Sequence, residues 1–240
     1  MSRLFALLFF VVGLAPLWAQ GPEYVVCCGG PALRKFEDYR VPADRHDRYW
    51  GNFTKAAGIR MAQLRGQFGP DLNLVWLIYR PSYLTRAAED ARSSTVQYRC
   101  DVGEIETMAA KVGARIVWFD STQQFASFMN SHTGRRMGGF EYFGHSNKYC
   151  FLFDYSGEVL GASTCYLHVK GLGVLRSGIF TSNAFVKSWG CNMADGEDSM
   201  YRAWRKVTGH GLIAATGKTD YTAIKDGITL PVVNNGGWKQ

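Results

Sequence analysis

The feature that most restricts the fold of this chain is a series of short apolar runs that do not alternate with polar residues. "EYVVCCGG", "LNLVWLIYR", "ARIVWFDS", "GFEYFGHS" and "AFVKSWGC" are all of strand length and rich in β-branched or aromatic residues. A strand with one wet face alternates polar and apolar side chains, whereas a strand covered on both faces is apolar throughout. Helical spacing fills the intervals. "NFTKAAGIRMAQLRGQFG" ends at glycine and proline, "VGEIETMAAKVG" ends at glycine, and "TQQFASFMNSH" is capped by Ser121 or Thr122. Strands alternating with helices build a mostly parallel sheet with helices on both sides. The expectation is a single three-layer α/β domain over residues 20–240.

The remaining segments are less regular. Pro81 breaks the second run, and "CFLFDYS" and "STCYLHVKGLG" have no clear period. "DSMYRAWRKVTG" reads as a helix and "GLIAATGKTDY" as a further strand. Residues 1–19 read as a signal peptide: Arg3 supplies the basic start, "LFALLFFVVGL" the apolar stretch and Ala19 the small residue at its end. The apolar stretch is shorter than the roughly 20 residues of a membrane span, and no second stretch is long enough. A secreted or periplasmic chain with no stable membrane insertion is expected. The formal charge of +7 is dispersed among acids rather than gathered in a stripe, which argues against nucleic acid as a partner.

The six cysteines, Cys27, Cys28, Cys100, Cys150, Cys165 and Cys191, are irregularly spaced and include no C-x-x-C. They leave room for one or two disulfides but not for a disulfide framework or a zinc knuckle. Neither a metal nor a cofactor is expected.

"FGHS" and "WGCN" carry the chemistry. Each runs an apolar strand into glycine and then delivers one reactive side chain, His145 and about 46 residues later Cys191. In an open parallel sheet such groups collect beyond the carboxyl ends of the strands, where neighbouring loops meet. A free thiol has a pKa of about 8.5, so a nucleophilic cysteine needs a base or a more anionic environment, and an imidazole supplies the base. Gly144 and Gly190 permit tight turns beside the pair. The amides of Cys191 and of Gly144 or Ser146 are candidate donors to an oxyanion. "GHSNK" also invites reading as a nucleophile elbow, but Lys148 occupies the position of its final glycine. His46–Asp47 reads as a surface hydrogen-bonding pair.

Strand–"FGHS", then strand–"WGCN" and a helix, resembles the caspase-like cysteine peptidases, and the turns "GHS" and "CNMADG" are most similar to the CHAT family. The resemblance extends over Gly139–Tyr221 and implies a caspase-like fold, His145 as general base, Cys191 as nucleophile and a polypeptide substrate. Two departures stand out. Ser146 replaces the usual glycine after the histidine, and Gly190 replaces a small alanine-type residue, with bulky Trp189 behind it. They motivate an alternative, a secreted non-catalytic binding or scaffold protein with a degenerate caspase-like fold. Asp220, with Asp195 and Glu197, is the candidate substrate pocket, and an unpaired carboxylate there would favour cleavage after arginine or lysine. Asp154 is a candidate for orienting a loop or His145.

Overall fold

A computed structural model describes residues 21–34, 50–91, 100–154 and 164–240. The signal-like stretch 1–19 and the His46–Asp47 pair lie outside the described residues. The helices are α1 (Asn52–Phe68), α2 (Arg80–Asp90), α3 (Val102–Val112), α4 (Thr122–Asn130) and α5 (Met200–Thr208). The strands begin with β1 (Tyr24–Cys28), β2 (Leu74–Tyr79), β3 (Arg115–Phe119) and β4 (Met137–Phe143). Three short strands follow, β5 (His145–Asn147), β6 (Cys150–Leu152) and β7 (Tyr166–His168), before the long β8 (Phe180–Ser188). The last four are β9 (Ala214–Ala215), β10 (Lys218–Asp220), β11 (Val232–Asn234) and β12 (Trp238–Lys239).

The main sheet is parallel throughout, in the order β3-β2-β1-β4-β8. Every residue of β1 and β2 is buried, which is why neither run alternates. Tyr24, Val26 and Cys28 face a core shared with α1, α2 and α3, while Val25 and Cys27 face a second core shared with α4 and α5. The adjacent cysteines therefore lie on opposite faces of the sheet, and all six cysteines are free. The α/β class and the helical layers on both faces follow the sequence pattern. Among the described residues no helix is long and apolar enough to cross a membrane.

Three local readings change. The second run does end just before Pro81, at Tyr79, but a helix not expected from the sequence, α2, begins there, with Pro81 in its first turn, where its missing N–H costs nothing. "CFLFDYS" and "STCYLHVKGLG" supply β6 and β7, which join β5 in an antiparallel sheet. "GLIAATGKTDY" is not one strand. It touches β8 by a single parallel bridge at Ile213, then breaks into β9, paired with β12, and β10, paired with β11.

Within the sheet, Glu141 of β4 is completely buried. Its carboxylate accepts from the Tyr24 hydroxyl at 2.5 Å, Arg60 Nε at 2.6 Å and Trp189 Nε1 at 2.7 Å. Burial and the Glu141 charge push the Tyr24 phenol well up, so it remains a donor. Lys187, paired with Glu141 across β4 and β8, lies 3.5 Å from the Trp189 ring centroid and 3.7 Å from that of Trp238. Burial lowers Lys187 to about 8, with the nearby Glu141 charge opposing the shift; the indole faces favour its cationic form as well.

The unfolded chain therefore binds more protons than the folded one between about pH 8 and the ordinary lysine value, and this term raises stability as pH rises through that window. Buried cysteines act in the opposite direction, so the term is read as a difference. Relative to Lys187→Met, the wild type should gain on the order of 2 kcal/mol between about pH 8 and 10. Urea unfolding of both proteins across that range checks it, and a flat difference would exclude it.

Candidate active site

The strand order reverses between β1 and β4, because β2 and β3 extend the sheet one way and β4 and β8 the other. Ligand crevices form beyond the carboxyl ends of strands at such a reversal. A cavity of about 420 Å3 opens here, and its walls include Gly144, His145, Cys191, Phe53, Thr219 and Asp220.

His145 opens β5, directly after Gly144, the glycine that separates it from β4. Its ring meets that of Phe53 edge-on, with centroids 4.7 Å apart. Its backbone is held from below: the buried Tyr142 hydroxyl lies 2.9 Å from the carbonyls of both His145 and Leu152, which share its one proton. A Cβ on Gly144 would stand 2.3 Å from that hydroxyl oxygen. Glycine is needed there so that the strand can turn directly over the tyrosine.

Cys191 follows β8 through Trp189 and Gly190. Its Sγ lies 3.2 Å from Thr219 Oγ1 and accepts the Thr219 amide at 3.3 Å. Asn192, with φ of 57°, turns the chain back, and its amide donates to the Gly217 carbonyl at 2.9 Å. The Ala194 amide donates to Ala215 at the same distance. The cysteine turn is thus laced to β9 and β10. Tyr221 closes the back of the site, donating to the Trp189 carbonyl at 3.1 Å and meeting Phe53 edge-on at 5.2 Å. Burial, and next the neighbouring Cys191, push its phenol well above the ordinary range.

The two departures from the caspase-like pattern are one feature. Ser146 is buried, and its hydroxyl donates to the Cys191 carbonyl at 2.8 Å. A Cβ on Gly190 would sit 2.1 Å from that same hydroxyl oxygen. The volume of a side chain at 190 is occupied from 146 instead. Trp189 points away from the cavity into the α1 side of the sheet, stacked on Phe143 at 5.5 Å and bonded to Glu141.

Of the three acids expected in the pocket, Asp220 alone lines the cavity. It ends β10, a hairpin strand, not a strand of the main sheet. Its Oδ1 accepts the Thr222 amide at 2.7 Å and its Oδ2 the Asn234 side chain at 3.2 Å. The Thr222 amide first, with Asn234 and the Lys225 charge, holds its carboxyl below the usual range. Asp195 and Glu197 are exposed in the loop after Cys191, and Glu197 pairs with Arg202 at 3.0 Å. Asp154 accepts the amides of Thr164 at 2.7 Å and Cys165 at 2.8 Å. His132 is buried against Glu23 at 2.9 Å. Among the described residues no cluster of three or more His, Cys, Asp or Glu is placed to hold a metal.

Sequence reasoning missed Phe53, Thr219 and Tyr221. Phe53 sits more than ninety positions before His145, at a helix start, and nothing in "KTDY" marks a contact with a cysteine. No family model, curated protein or solved structure matches this chain.

The exchange of volume between residues 146 and 190 sets up a double-mutant cycle. Gly190→Ala alone should cost about 1–3 kcal/mol through overpacking. Adding Ser146→Gly should restore more than half of that loss, although Ser146→Gly by itself costs about 1 kcal/mol for the lost hydrogen bond. Urea unfolding measures all four proteins, and strictly additive losses would show that the two sites are independent.

Proposed function

We propose that this chain is an exported cysteine hydrolase, an endopeptidase with Cys191 as nucleophile and His145 as general base. The observation that carries the proposal is the shared cavity: both side chains line it, at the ends of adjacent parallel strands and beside the reversal of strand order. That arrangement, with the order of the histidine and cysteine strands, also supports membership of the caspase-like peptidases, closest to the CHAT type. Export rests on the signal-like residues 1–19.

In the proposed reaction, His145 takes the Cys191 proton and the thiolate attacks the scissile carbonyl carbon. The amide of Cys191, with that of Gly144 or Ser146, is the candidate to receive the oxyanion. Collapse of the tetrahedral intermediate breaks the C–N bond, and His145 returns its proton to the leaving amine. Water, deprotonated by His145, then cleaves the thioester and regenerates the thiol. Asp220 lines the cavity and is the carboxylate that would favour cleavage after arginine or lysine; each of its oxygens already accepts one hydrogen bond, and Lys218 and Lys225, on the same wall, compete for its charge.

The alternative, a non-catalytic binding or scaffold protein, drew on Ser146 and Trp189. Ser146 is matched by Gly190, and Trp189 is absent from the cavity wall, so neither obstructs the pair. Cys191→Ala and His145→Ala should each lower hydrolysis of an unfolded protein substrate by at least about a thousandfold, with an unchanged unfolding midpoint. Quenched-fluorophore casein provides the assay. Full activity in both variants would exclude the assignment.

A further inference from the structure

Thr219 lies outside the histidine–cysteine pair, on a hairpin that belongs to neither of the strands carrying it. We infer that Thr219 is part of the nucleophile's machinery: its amide and hydroxyl both donate to Cys191 Sγ and stabilise the thiolate. The inference rests on Cys191 being the nucleophile proposed above.

The geometry of the hairpin makes the amide available. β10 pairs with β11 in the register Lys218↔Asn234, Thr219↔Val233 and Asp220↔Val232. Along an antiparallel ladder, successive residues turn their N–H groups alternately toward the partner strand and away from it. The Thr219 amide is directed at sulfur, 3.3 Å away, so it is turned away from β11. A slip of one residue would aim it into the ladder. Two ties prevent the slip. Asp220 Oδ2 accepts from Asn234 across the strands, and the Asn192 amide fixes Gly217, two positions before Thr219, to the cysteine turn.

The Thr219 hydroxyl, at 3.2 Å, is able to donate or accept at the sulfur. A thiolate has no proton to give, so next to a thiolate the hydroxyl donates. Two donors then meet the developing charge from one residue, while the departing proton goes to His145. Donors held in place beforehand favour the anion without reorganising during reaction.

Alkylation by iodoacetamide tests this without any peptide substrate. The thiolate attacks the iodinated carbon, iodide leaves and a thioether forms. The other cysteines are all buried, so the native protein reports Cys191, with the adduct located by mass spectrometry. Thr219→Val keeps the branched shape and the amide but removes the hydroxyl. It should alkylate about tenfold more slowly at neutral pH, the size of one charge-assisted hydrogen bond, and its rate-versus-pH curve should move to higher pH. Thr219→Ser, which keeps the hydroxyl, should restore the wild-type curve. The inference is overturned if Thr219→Val matches the wild type at every pH, or if Thr219→Ser is as slow as Thr219→Val. Faster alkylation of Thr219→Val would also overturn it, by showing that the hydroxyl accepts a proton from a thiol. If the curves move as expected while the wild type cleaves no peptide, the role of Thr219 stands and the hydrolase reading falls.

Discussion

The carboxylate of Glu141 is the interaction on which the rest of this molecule depends. An ionised group removed from water costs several kcal/mol unless its partners replace the lost hydration. Here the partners come from separate elements: Tyr24 from β1, Arg60 from α1 and Trp189 from the turn after β8. One buried charge thereby joins the strand before the cavity, the helix on its wall and the turn that delivers Cys191. Lys187 extends the cluster to the C-terminal strand by lying between Trp189 and Trp238. The tryptophan that the sequence suggests as an obstacle is an anchor.

From that anchor the site is assembled by contacts that fix backbone more than side chain. Tyr142 holds the His145 carbonyl, Ser146 holds the Cys191 carbonyl, and Tyr221 holds the Trp189 carbonyl. Each tie runs from a hydroxyl on one element to a turn on another or just ahead of it. The reactive groups are left facing the cavity while their main chains are set from behind. Gly144 and Gly190 follow from the same arrangement, since both lie where a Cβ would strike one of these hydroxyl oxygens. A tight turn over a large residue requires a small one, and which of two positions carries the small residue is decided locally by packing.

The sequence is informative where burial and hydrogen bonding leave a periodic or terminal mark. β1 and β2 are buried on both faces, and their uninterrupted apolar runs say so. α3 carries a capping box at Asp101 and Glu104 and a left-handed glycine at Gly113, and both ends are readable. Pro81 marks the end of β2 but leaves α2 unread, because a proline that closes a strand also suits the first turn of a helix and its neighbours do not say that one follows. The stretch Gly211–Tyr221 misleads for another reason. Its apolar half does reach β8 at Ile213, but Gly217 packs against the backbone of Asn234 and Asn235, where a Cβ would come within 2.6 Å. That closeness depends on strands far along the chain.

By itself, then, the sequence determined the α/β class, the strands of the main sheet with every flanking helix except α2, and the presence of His145 and Cys191 just past two strand ends. These follow from local rules: side-chain period, glycine at chain reversals and capping chemistry. Tertiary structure alone decided that the two side chains share a cavity, that Asp220 braces a hairpin instead of presenting a free carboxylate, and that Thr219 meets the sulfur. Each of those depends on strand order and on register between segments distant in sequence. A one-residue slip of β10 against β11 would reverse which groups face Cys191 while changing no residue, because successive strand residues point to opposite sides.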